Sequence, residues 1–183
     1  MTKNESILLI TILFMPLMVA CADKNVKINT LSETGTPGAI SISPFEQAGL
    51  WGYRNARGKV IIPARYIMAN AFSRCGLAAV VDQKGWLYIN TEGNEVIRPF
   101  VFDNGPDYFQ DGLARFVQGN KFGFFDESGK IIIAPQFDFA YPFENGTAKV
   151  GYGCKFVQEG EHQAVAGGVW KYIDKQGNIR QGQ

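Results

Sequence analysis

The chain has 183 residues, enough for one domain with a core of useful size. Its 18 Lys and Arg nearly balance 17 Asp and Glu, so it has neither the basic stripe of a nucleic-acid binder nor an acidic tail. With 13% aromatics, 21 glycines and no long amphipathic helical stretch, the composition points to an all-β protein rich in turns.

The first element is apolar. Ile7 to Ala20 reads ILLITILFMPLMVA, which contains Pro16 and falls short of the roughly 20 residues a helix needs to span a bilayer. It suits the hydrophobic part of a signal peptide over residues 1–20, although Glu5 offsets Lys3 ahead of it. Leu17 to Cys21, LMVAC, resembles a bacterial lipobox, with Ala20 before the cysteine and Met18 where Leu is usual. The resemblance implies cleavage before Cys21 and lipidation there, and several acyl chains anchor durably where one does not. With Ala22 next, it is the outer-membrane class, facing the periplasm, if the cell is Gram-negative. The other reading is a plain secretory signal cut near Ala20 or Ala22, giving a periplasmic or secreted protein. Residues 21–43 are polar and aperiodic and read as a flexible tether, leaving 44–183 as the β domain.

Within that domain one pattern recurs four times: aromatic, any, aromatic, any, Asn or Asp, any, any, Gly. The copies are Trp51, Tyr53, Asn55, Gly58; Trp86, Tyr88, Asn90, Gly93; Phe122, Phe124, Asp126, Gly129; and Trp170, Tyr172, Asp174, Gly177. Aromatics two apart share one face of a strand. The Asn or Asp can bond its own turn, and Gly is favoured at the turn's fourth position. Val60-Ile61-Ile62, Val96-Ile97 and Ile131-Ile132-Ile133 follow as returning strands, expected to end at Pro63, Pro99 and Pro135, where a backbone N–H is missing. GLAAVV (Gly76–Val81), GLARFV (Gly112–Val117) and GTAKV (Gly146–Val150) add a third strand to three units. The fourth copy runs out at Asn178–Gln183 and reads as a truncated cap. Units thus lie at about 50–81, 85–117, 121–150 and 169–183, and on the order of ten strands are expected.

The stretches LWGYRNARGKVIIPARY, FGFFDESGKIIIAPQFD and YPFENGTAKV resemble the WG-repeat, or KWG, proteins of bacteria, over roughly Leu50 to Ile179. Only Trp51-Gly52 keeps the literal pair; the other copies read Trp86-Leu87, Phe122-Gly123 and Trp170-Lys171. The resemblance implies tandem antiparallel β units and usually no assigned catalytic residues. The expected architecture is an open twisted β array, or a partial propeller or barrel-like stack.

Candidates for chemistry are few. His162 is the lone histidine, in QEGEHQ between Glu159 and Glu161, and a solvated loop residue is the plainer account of it. Asp103, Asp107 and Asp111 form the densest acidic group, and with Glu144 they are the acid–base candidates for an alternative reading as an envelope glycan hydrolase. Their spacing does not match a calcium loop of the EF-hand kind. No zinc spacing, phosphate loop or nucleophile motif occurs, so no metal, cofactor or catalytic residue is expected. Cys75 and Cys154 could pair as a disulfide after export, or be two unrelated small residues. In-register Trp51, Trp86, Phe122 and Trp170 suit a core ladder better than a sugar-stacking platform, since each unit needs its apolar face covered. The expected function is a non-catalytic, exported, lipid-anchored binding or scaffold module. It would hold a protein (a toxin, if it confers immunity) or a cell-wall glycan, through the connections Asp103–Gln110 and Tyr152–Val169.

Overall fold

A computed structural model describes residues 41–160 and 162–180 of the chain. The signal segment 1–20, Cys21 and most of the expected tether lie outside the described residues. The described residues form strands and turns only, with no helix. The first sheet joins β1 (Ile42–Gln47), β2 (Leu50–Asn55) and β3 (Val60–Tyr66). The second joins β4 (Met68–Ala69), β5 (Ala78–Asp82), β6 (Gly85–Ile89) and β7 (Glu95–Ile97). A small hairpin, β8 (Val101–Phe102) and β9 (Gly105–Pro106), precedes the third sheet of β10 (Leu113–Gln118), β11 (Lys121–Asp126) and β12 (Ile131–Phe137). The fourth joins β13 (Phe139–Ala140), β14 (Thr147–Glu159), β15 (His162–Asp174) and β16 (Ile179–Arg180). All pairs are antiparallel and no sheet closes into a barrel, so the array is open. The sixteen strands exceed the ten expected because five of them are two-residue edges, too short to show periodicity.

The turn pattern forms as its chemistry requires. Oδ1 of Asn55, Asn90, Asp126 and Asp174 each accepts two backbone N–H groups, two and four residues on, at 2.9–3.1 Å. The glycine closing each turn adopts a φ of +79° to +86°, which a side chain would strain.

Sheets and repeats are out of step. The third strand of a unit pairs with the aromatic strand of the next unit, as in Val81↔Trp86, Val117↔Phe122 and Gly151↔Trp170. β1 plays this part for the first unit through Glu46↔Trp51, so Ile42 and Ser43 belong to the sheet and not to the tether. Two-residue turns make the join: Ala48-Gly49 and Gly119-Asn120 both have positive φ at each position, the geometry that suits the twist of a hairpin. The fourth copy's described return strand is the two-residue β16, and its β15 pairs with β14 of the preceding unit, which is how the fourth sheet comes to four strands.

The prolines do not end the returning strands as expected. β3 runs through Pro63 to Tyr66 and β12 through Pro135 to Phe137, each with a register shift on the way. A bulge leaves residues unpaired, so a missing N–H costs nothing there. Only Pro99 lies beyond its strand, which stops at Ile97.

Three apolar layers hold the sheets together, each between the aromatic face of one sheet and the opposite face of the next. Tyr53, Ile62 and Tyr66 of the first sheet meet Ala78, Val80, Leu87 and Ile89 of the second. Leu77, Tyr88 and Ile97 of the second meet Ala114, Phe116 and Phe125 of the third. Phe122, Phe124, Ile133 and Phe137 of the third meet Ala148, Val150 and Ile173 of the fourth. Rings meet small and branched side chains in the first and third layers, whereas in the second Tyr88 meets the Phe125 ring edge-on at 5.7 Å.

Candidate functional site

The acidic candidates are separated into three structural roles. Asp103 and Asn104 form the turn of the β8–β9 hairpin, with φ of 49° and 64°, and Asp103 is exposed. Asp107 is 3% exposed, not a solvated loop residue. Its Oδ1 accepts from Arg115 Nη2 at 2.6 Å, and its Oδ2 from Arg115 Nε at 2.9 Å and the Arg115 backbone N–H at 2.8 Å. Arg115 also donates to the Ala140 carbonyl at 3.0 Å and lies over the Phe100 ring, so the pair ties the third sheet to the fourth. Asp111 accepts from the Gly146 N–H at 2.7 Å, joining the turns that precede β10 and β14. Glu144 is exposed and belongs to the turn with Thr147. Asp107 and Asp111 are thus engaged within the fold, while Asp103 and Glu144 stand at exposed turns. Among the described residues no cluster of His, Cys, Asp and Glu could hold a metal.

The bridge between Cys75 and Cys154 does not form, because Cys154 is a free, buried thiol. The Cys75 sulfur, in the turn before β5, is 3.7 Å from Oε2 of Glu127, whereas Cys154 belongs to β14. Burial pushes the Cys154 thiol pKa up.

A depression lined by Arg65, Tyr66, Asp82, Leu87, Gly93 and Glu95 has its charges already engaged. Arg65 donates to the Gly93 carbonyl at 2.7 Å, and Arg98 bonds both Asp82 and Glu95.

The remaining feature is the outer face of the fourth sheet. Tyr152–Val169, expected as a loop, is instead the outer part of a long hairpin arm, in which β14 and β15 pair from Thr147↔Asp174 out to Glu159↔His162. Glu161 lies outside the described residues, as do the side chains of Glu159 and His162. Pleating puts Lys149 and Gly151 on one face with Tyr172 and Trp170, their cross-strand partners, and with Phe139, which pairs with Gly151. This is the aromatic face of the repeat pattern, and among the described residues no further sheet covers it.

At Gly153 and Gly168, opposite each other with φ of 71° and 74°, the arm bends. A Cβ on Gly168 would lie 2.6 Å from the Cys154 nitrogen, so the bend requires glycine there. The arm returns over its own sheet: the Phe156 ring is 5.8 Å from that of Phe139, and a Cβ on Gly151 would lie 2.7 Å from the Cys154 sulfur. Asp138 fixes the bend by accepting from the Gly153 N–H while pairing with Lys121.

What stays open is a patch of rings around a cation. Phe139 meets Tyr141 and Trp170 at 5.2 and 6.3 Å between ring centres. The Lys149 ammonium lies 5.1 Å over Trp170 and 5.9 Å from Tyr141 and forms no ion pair among the described residues. Tyr141 is 47% and Phe156 52% exposed. A cation between aromatic faces is held ready for an electronegative group without losing its charge.

The sequence pattern singled out Trp170 and Tyr172 but not Phe139, Tyr141, Lys149 or Phe156. Their signal was the alternation Phe139-x-Tyr141 on an edge strand, which carries no weight until the uncovered face is known. The expected core ladder is uneven. Phe122 is buried, Trp51, Trp86 and Trp170 are only partly buried, and Tyr53, Tyr88 and Phe124 two residues on lie in the core.

A family model described as WG containing repeat matches residues 51–86, 88–122 and 122–153. Comparison with curated proteins and with solved structures gave no significant match. The matched segments begin on or two residues past the leading aromatics, and the copy at Trp170–Gly177 lies beyond them, although its turn makes the same hydrogen bonds.

Proposed function

Because the chain belongs to the WG-containing repeat family, we propose that it is a non-catalytic binding and scaffold module of the cell envelope. It is exported and anchored through lipid on Cys21, and it captures a macromolecular partner on the outer face of its fourth sheet. The observation that carries this reading is the ring patch of half-buried Phe139 and Trp170 and exposed Tyr141 and Phe156 around Lys149, which forms no ion pair among the described residues. Contiguous apolar surface with a polar rim marks interaction sites more often than solvent-facing filler. The acidic candidates support the non-catalytic side, since Asp107 and Asp111 are spent on structure. LMVAC at Leu17–Cys21 supports the anchor, and a toxin neutralised at the membrane is one partner this placement admits.

The test uses the protein as bait in envelope extracts. Wild type is expected to retain a defined component that a Tyr141→Ala/Trp170→Ala variant loses at unchanged thermal stability. Equal retention by both would remove the face from the function. Metabolic labelling with a palmitate analogue should mark the wild type and not Cys21→Ala, and an unlabelled wild type would refute the anchor.

A further inference from the structure

The leading aromatics of the four copies, at 51, 86, 122 and 170, lie 35, 36 and 48 residues apart. The excess in the last interval falls at the join between the third strand of a unit and the aromatic strand of the next. Elsewhere that join is a two-residue turn, at Ala48-Gly49, Gln83-Lys84 and Gly119-Asn120, whereas β14 and β15 run on together as the arm. Stacking of the sheets does not require such an arm, since the other joins do without it. This one folds over the aromatic face that no further sheet covers among the described residues.

The arm is built as a part that moves. Alternation and cross-strand pairing put Cys154 and Phe156 on one side of it with Val165, the partner of Phe156, and that side meets the sheet. The contact is thin, because the Phe156 ring is 52% exposed even where it lies on Phe139. A two-stranded hairpin is marginal by itself, so the arm depends on its ties at the bend. There Asp138 accepts from the Gly153 N–H, and the Trp170 indole N–H donates to the Gly167 carbonyl at 3.1 Å, both in contact with water. Gly153, Gly167 and Gly168 have φ of 71°, 71° and 74°, and backbone without a Cβ changes conformation at least cost. Trp170 is thus a ring of the face and a tie of the arm at once. A ligand that stacks on the indole and takes its N–H removes one hold on the arm.

We propose that the arm beyond Gly153 and Gly168 is a lid that inhibits the face it covers. Closed, it holds Phe156 on the Phe139 ring. Open, hinged at the glycines, it frees Phe139 and Trp170 to an incoming ligand and bares the Cys154 thiol. Ligand and lid compete for the same rings, so a bound ligand shifts the population towards the open form. The inference rests on the proposed binding role of the face and goes beyond it in naming what regulates access.

The test follows lid and face separately on the purified chain. Alkylation of Cys154, read by mass at its own peptide, reports opening. The anionic dye anilinonaphthalene sulfonate, whose rings and charge suit Trp170 and Lys149, probes the face. Phe156→Ala removes one aromatic contact, so alkylation rate and dye affinity should rise together over wild type by the same factor, roughly two to ten. The dye should also quicken alkylation in the wild type. Asp138→Asn, which releases the Gly153 N–H, should act in the same direction and serves where Phe156→Ala does not fold. Tyr141→Ala should weaken the dye in every background. Folded variants that raise neither quantity would overturn the proposal, as would faster alkylation with no gain for the dye, or a dye that slows alkylation. A dye gain that Tyr141→Ala leaves whole would overturn the guarded face. Alkylation without dye reads the lid alone and envelope capture reads the binding role, so either result can fail without the other.

Discussion

The first and third hairpins carry a glycine after the leading aromatic, Gly52 and Gly123, whereas the second carries Leu87, and their returning strands differ accordingly. β3 and β12 have seven residues each and bulge before pairing again through Trp51↔Tyr66 and Phe122↔Phe137. β7 has three residues and never reaches Trp86. A Cβ on Gly52 would lie 2.5 Å from the Ile62 carbonyl oxygen, and one on Gly123 would lie 2.7 Å from that of Ile133. The bulged strand occupies the volume a side chain would need. Neither glycine has a positive φ, so the second letter of the WG pair is a matter of space and not of backbone freedom. With Leu87 filling that volume, the chain leaves the sheet after Ile97 and passes through β8 and β9. It returns with Asp107 and Arg115 buried together.

The largest effect expected from breaking this contrast lies in the diverted unit. Asp107→Ala leaves the Arg115 guanidinium buried without its carboxylate, a loss of about 3–5 kcal/mol. Denaturant unfolding measures it, and Asp107→Ala/Arg115→Met should recover a large part, because a buried ion pair and a well-packed apolar pair differ little. A cost for Asp107→Ala no greater than a surface substitution would mean that the pair is not what replaces the long strand.

The next effect separates glycine from leucine directly. Gly123→Ala presses a methyl group against backbone and the Phe116 ring and should cost about 1–3 kcal/mol as an overpacked site. Leu87→Ala removes core volume and should also destabilise, as an ordinary truncation does. Position 87 thus loses stability when made smaller and position 123 when made larger. Amide exchange along β12 should quicken in Gly123→Ala if the bulge is what moves, and unchanged protection there would refute the steric account.

The turns and the all-β class were legible because their causes are local: an Asn or Asp that bonds the next amides, then a Gly. The out-of-step pairing was half-visible in Gly119-Asn120, a two-residue hairpin loop between alternating strands, but unit boundaries drawn at the aromatics hid it. Pro63 and Pro135 misled because a bulge is a tertiary accommodation that no single strand announces. Asp107 could not be told from its exposed neighbours, since its partner lies eight residues on and only packing buries them both. The candidate face was the least legible part. Trp170 and Tyr172 occupy the places of Phe122 and Phe124 in the pattern, and only the arm that folds back there, where no further sheet lies among the described residues, gives them a different environment.

The smallest effect concerns how each region is tied off. In the diverted unit Arg98 hydrogen-bonds Asp82 and holds its carboxyl pKa below the ordinary 3.8. In the third and fourth sheets Lys121, and then the Gly153 N–H, do the same for Asp138 at the bend of the arm. A carboxylate with a depressed folded pKa contributes stability that is present above its unfolded value and is lost as the pH falls through the folded one. Both ties should therefore hold at neutral pH and weaken together below about pH 4. The pairs are partly exposed, so each contributes about 1 kcal/mol or less. They part in what they release. Asp138→Asn should free the Gly153 amide to exchange at neutral pH and let the arm lift from Phe139, exposing Cys154 to a thiol reagent. Asp82→Asn should leave Cys154 protected. Equal thiol reactivity in the two variants would show that the Gly153–Gly168 bend is held by packing alone.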